Sequence, residues 1–88
     1  MNKEVIALLE ALMNKRTTLS QQRTREEAKY AEVAAWLANN KPTHERAMYM
    51  RDCLVHIGDR IEAIDDEVYF IDEAFDAVNA LPLETGAK

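Results

Sequence analysis

From Ala47 onward the apolar residues recur at steps of three and four: Met50, Leu54, Ile57, Ile61, Ile64, Val68, Ile71, Phe75 and Val78 follow without a slip. That is the spacing of a helix stripe that packs on another helix, and the alternation every second residue that a strand needs is absent. The pattern predicts a helix over about 43–80. Counting back from Leu37 by fours and threes meets Val33, Tyr30, Glu26, Arg23, Leu19, Arg16, Leu12, Leu9 and Val5. The phase survives the polar run Ser20 to Glu27, where neither Gly nor Pro interrupts it. One long first helix over about 2–39 is expected. Two rival readings stay open: Thr24 can cap a new helix with Glu27 reaching back to it, and Asp65 or Asp66 can cap a short third one. A bend between Thr17 and Thr24 is a milder version of the first.

Asn39-Asn40-Lys41-Pro42 breaks the pattern. Asn tolerates the left-handed conformation that ends helices, Pro42 cannot continue the ladder of backbone bonds, and Thr43 is a good cap for the next helix. Two helices of nearly equal length joined at 40–42 predict an all-α, coiled-coil-like antiparallel hairpin. The expected domain is residues 1–81, with 82–88 a flexible tail after Pro82. Folding about the turn pairs residues whose numbers sum to 83 or 84. Tyr30 then meets Leu54, Leu19 meets Ile64 and Leu9 meets Phe75. Arg16 faces Val68 beside Asp65 and Asp72, and Arg23 with Glu26 faces Ile57 and Ile61.

A hairpin does not use all of its apolar residues. With Ala47 as heptad position a, the residues Met48, Tyr49, Val55, Tyr69 and Phe70 fall at b and c, outside a two-helix seam. Ile6, Leu8, Met13 and Trp36 spill beyond the stripe of the first helix in the same way. Soluble monomers rarely expose so much apolar surface. The Ile residues at d, moreover, fit bundles or antiparallel pairs better than parallel two-stranded coils. Self-association into a homodimeric four-helix bundle is the first expectation, with Trp36, Met48, Tyr49, Val55, Tyr69 and Phe70 as the apolar contact residues. A groove for a different protein, or a third helix folding back, are the alternatives.

Charge changes the picture more than composition does. The 88 residues carry a net −5, but residues 1–43 hold seven Lys/Arg and five Asp/Glu (+2) while 44–88 hold four and eleven (−7). An acidic half disfavours direct nucleic-acid or membrane binding and favours a basic protein partner. Its acidic face comprises Asp59, Glu62, Asp65, Asp66, Glu67, Asp72, Glu73 and Asp76, with only Arg60 among them. One reading is a solvated face partly paired with Arg16, Arg23 and Arg25. The other is a phosphate-like row that blocks a basic site on a nucleic-acid-processing enzyme, as small phage or plasmid proteins do. Cys53 is the only cysteine, which points to a reducing, cytoplasmic setting. No apolar run approaches a membrane span, and no signal peptide is expected at the start.

Candidate chemistry is thin. Cys53 and His56, or Asp52 and His56, supply at most two metal ligands from one helix, and neither a Ca²⁺ loop nor a Glu-x-x-His pair is present. His44 reads as an ordinary first-turn residue. No catalytic residue, cofactor or metal site is assigned, and no enzyme activity is expected. Lys15, Arg16, Arg23, Arg25 and Lys29 suggest a third reading, a small nucleotide at a subunit interface, without a phosphate-cradling loop to support it. Trp36, Tyr30 and Tyr49, with Met48 and Met50, suggest an anchor near the turn. Gly58, inside the second helix at e, suggests close approach of another helix. The resulting expectation is a small acidic module that self-associates and acts through protein–protein binding.

Overall fold

The computed structural model describes residues 3–80 and places them in two helices, α1 (Lys3–Asn39) and α2 (His44–Asn79), packed as an antiparallel hairpin. The expected tail at 82–88 and the boundary at Pro82 lie outside the described residues. Each helix is about 55 Å long at ~1.5 Å per residue, and the rod is 15 Å across. Two helices are one layer thick, so there is no deep interior.

α1 runs without a break through the polar stretch, so the helix start at Thr24 does not form. Thr24 Oγ1 instead donates to the Ser20 carbonyl at 3.1 Å, as Thr17 does to Met13 and Thr18 to Asn14, and Glu27 pairs with Arg23. Hydroxyls bonded back to the preceding turn let these Thr residues sit in a helix without orphaning a polar group. α2 likewise passes through Asp65-Asp66.

The turn follows the sequence in place but not in every detail. Thr43 is the N-cap in extended conformation (φ −66°, ψ 164°), and its Oγ1 accepts from the Arg46 N–H at 3.2 Å. The expected left-handed Asn does not occur: among the described residues no non-Gly residue has positive φ. The two Asn side chains do the work instead. Asn39 Nδ2 donates to the Ala35 carbonyl at 2.9 Å and Asn40 Nδ2 to the Trp36 carbonyl at 2.7 Å. The two amides thereby add donors to carbonyls of the last turns of α1 without a strained backbone.

Among the described residues the buried ones are Leu19, Ile57, Ile64 and Ile71. Three of them are the d row of α2, and Leu19 is the equivalent position on α1. Leu19, Ile64 and Ile71 form one cluster, with Leu12, Val68 and Phe75 packed against it. Ile57 stands apart toward the turn. Between them lies Glu26, a seam residue whose side chain is 13% exposed and whose carboxylate accepts from Arg60 at 2.8 Å and Lys29 at 3.3 Å. A charge held this close to the seam must be paired, and it is.

Ion pairs across the helices fix the register. They join Lys15 to Glu67 (3.5 Å), Arg16 to Asp72 (2.8 Å), Arg23 to Asp65 (2.7 Å) and Arg60 to Glu26 (2.8 Å). These numbers sum to 82, 88, 88 and 86, centred two to three residues beyond the expected 83–84, and Leu19 accordingly packs with both Ile64 and Ile71, where the sequence set it opposite Ile64. Arg16 takes Asp72 alone; Asp65 goes to Arg23, two helix turns nearer the loop.

Candidate functional site

Because the seam is narrow, what the molecule offers to others is the outside of the rod. Among the described residues, Ile6, Leu8, Met13, Tyr30, Met48, Tyr49, Val55, Tyr69 and Phe70 are exposed, from 43% at Tyr30 to 68% at Phe70. Five of the six residues expected to make apolar contacts are therefore open to solvent. Trp36 is the exception: it is half-buried, and the Arg46 guanidinium lies 5.8 Å from its ring centre.

The exposed residues do not form one patch. Around a helix, positions b and c flank f on opposite sides, with b nearer e and c nearer g. An open trough lined by Arg23, Glu27, Tyr30, Gly58 and Ile61 marks the flank built from positions a and e of both helices. Met48, Val55 and Tyr69 at b of α2, and Ile6 and Met13 at e of α1, border that flank. The opposite flank carries troughs lined by Lys29, Val33, Cys53, His56 and Arg60, and by Gln22, Arg25, Glu26, Arg60 and Ala63. Leu8, Tyr49 and Phe70 belong to that side. Tyr30 and Tyr49 thus point to different flanks, and the anchor cluster expected at the turn is split. Tyr69 and Phe70 bridge the two sides edge to face, with ring centres 5.7 Å apart.

Gly58 has open space beside it: a Cβ there would meet nothing within 4 Å. Neither Arg23 nor any other side chain of the hairpin crosses against it, so close approach within the chain is not the reason for this glycine.

The acidic face divides by function. Asp65, Asp72 and Glu67 are turned to α1 by their ion pairs, whereas Asp59, Glu62, Asp66, Glu73 and Asp76 make none among the described residues. Asp59, Asp66 and Glu73 stand seven residues apart along f, the outermost row. The hydrogen bond from Arg23 holds the Asp65 carboxyl below its ordinary value, and the one from Arg16 does the same for Asp72. Arg60, helped by Lys29, lowers Glu26 in the same way. In return the guanidinium groups of Arg16 and Arg23 are held even more firmly protonated, chiefly by the hydrogen bonds to Asp72 and Asp65.

Those pairs also occupy most of the basic residues considered for a nucleotide. Lys15, Arg16, Arg23 and Lys29 all face carboxylates; only Arg25 has no such pair among the described residues. Cys53 and His56 do line one trough together, but no group of three or more His, Cys, Asp or Glu able to hold a metal ion occurs among the described residues. No helix among them is long and apolar enough to cross a membrane. Sequence reasoning passed over the Glu26–Arg60 pair that divides the core. The available signal was a carboxylate on the d row of α1 facing an arginine on α2.

Comparison with known proteins adds no relative: no family model, no curated protein and no solved structure matches the chain.

Proposed function

We propose that this hairpin is a non-catalytic, self-associating module that acts by binding another protein. One observation carries the reading: large apolar side chains line both flanks of a rod in which only four of the described residues are buried. A soluble chain that leaves Tyr69 and Phe70 about two-thirds exposed gains most by covering them with protein. Apolar burial of this kind is insensitive to salt. Multi-angle light scattering at micromolar concentration should therefore give a dimer or larger species at both low and high salt. A soluble monomer throughout would end this reading.

The outward carboxylates favour a second reading, occupation of a basic site on a nucleic-acid-binding protein. Asp59, Asp66 and Glu73 project along one row while Asp65 and Asp72 are spent inside the hairpin, so the row left for a partner is shorter than the sequence suggests. Binding of this kind should weaken steeply between low and physiological salt. The combined change Asp59→Asn, Asp66→Asn and Glu73→Gln should remove it without altering the fold. Affinity for a basic nucleic-acid-binding protein that ignores both manipulations would count against mimicry.

A further inference from the structure

The two flanks are unequal, and so are the two ends. Six of the exposed apolar residues (Ile6, Met13, Tyr30, Met48, Val55 and Tyr69) belong to the flank that holds Gly58. They fall in two blocks. Val55 and Tyr30 stand toward the turn, and Tyr69 and Met13 toward the open end, with the Arg23–Asp65 pair between. Val55 precedes Glu62 by seven residues and Tyr69 follows it by seven, all on one heptad row.

Charge runs along the rod. The turn half, residues 22–61, has seven Lys/Arg and six Asp/Glu, a net +1; the open half, 3–21 with 62–80, has three and nine, a net −6. Two rods lying parallel would set one −6 end against the other. Two rods lying antiparallel set each −6 end beside a near-neutral one.

From this we infer that the partner on the Gly58 flank is a second copy of the chain, antiparallel to the first, related by a two-fold axis passing near Glu62. The two-fold brings Val55 of one copy to Tyr69 of the other, since the two stand at equal distances on either side of Glu62 along one heptad row. That contact occurs twice, as an isologous interface requires. The outward row of Asp59, Asp66 and Glu73 stays uncovered, which leaves it available to a different protein.

This arrangement rests on the self-association proposed above, and cysteine cross-linking separates the two. In a Cys53→Ser background, Val55→Cys and Tyr69→Cys chains are mixed and oxidised or treated with a short bismaleimide. The mixture should give a covalent dimer, and each variant alone should give little, because its two cysteines would lie about 21 Å apart at ~1.5 Å per residue. Efficient cross-linking of Val55→Cys with itself would overturn the antiparallel arrangement. A dimer by light scattering with no cross-link in any sample would overturn the choice of flank and leave self-association standing. Monomers by light scattering would remove both.

Discussion

Gly58 lies near the middle of α2 with nothing within 4 Å of where a Cβ would project, and its φ is not in the left-handed region. Nothing in the hairpin therefore requires glycine there, and its cost is the ordinary one: about 1 kcal/mol of helix propensity relative to alanine. Gly58→Ala should stabilise the protein by about that amount. For a domain of this size the melting temperature should rise by roughly 4–8 °C, read by circular dichroism at a fixed protein concentration. A lower melting temperature would mean that the second copy inferred on this flank packs against Gly58 itself. The same residue-scale logic explains Glu26. Between Ile57 and the Leu19–Ile64–Ile71 cluster, its carboxylate is tolerated because Arg60 and Lys29 satisfy it, and it splits the core into two parts.

At the scale of the helices, the ion pairs select one register among those an apolar stripe would accept. A stripe of steps three and four matches itself again after a shift of one heptad, whereas Arg16 reaches Asp72 and Arg23 reaches Asp65 only in one. Exchanging a pair tests this. Arg16→Asp alone and Asp72→Arg alone should each lower the melting temperature, since each sets like charges together. The double exchange should recover most of the loss. Failure of the double variant to recover would show that the two residues do not face each other in solution. The helices, the break at residues 40–42 and the Thr43 cap were all legible in the sequence, because each depends on local chemistry or on a repeat that only one structure satisfies. What was not legible depends on choices between near-equivalent partners. Arg16 could reach Asp65 or Asp72, one helix turn to either side of Val68, and only the packed geometry decides. Asn39 and Asn40 could end α1 by adopting a left-handed backbone or by turning their amides back to carbonyls of its last turns, and either closes the helix end. Trp36 looked like an exposed anchor because its position at g says nothing of Arg46 reaching over it. The division of Met48, Val55 and Tyr69 from Tyr49 and Phe70 was within reach, since b and c diverge on a helical wheel.

For the whole molecule, pH should act through the same cross-helix pairs. Asp65, Asp72 and Glu26 have pKa values lowered by folding, from ordinary values of 3.8, 3.8 and 4.5. A group whose folded pKa is depressed binds protons less readily in the native state. Its contribution is complete once the pH is above the unfolded value, and is lost as the pH falls through the lower, folded one. Stability should then be flat above about pH 5 and decline below about pH 4, where carboxylates of ordinary pKa begin to take up protons. Removing the pairs should blunt that decline. Asp65→Asn combined with Asp72→Asn should lower the melting temperature near pH 7 yet converge on the wild-type value as the pH falls through the lowered folded pKa values, where the wild-type carboxylates become neutral as well. Thermal melts in matched salt across that range provide the measurement. If the variant remained as far below wild type at the acid end as at neutrality, the pairs would not be the source of the acid dependence. Through this titration the apolar flank stays as it was. A chain that holds its dimer by scattering at low pH while its melting temperature falls would have its two kinds of contact separated: charge sets the register of the hairpin, and apolar burial joins the copies.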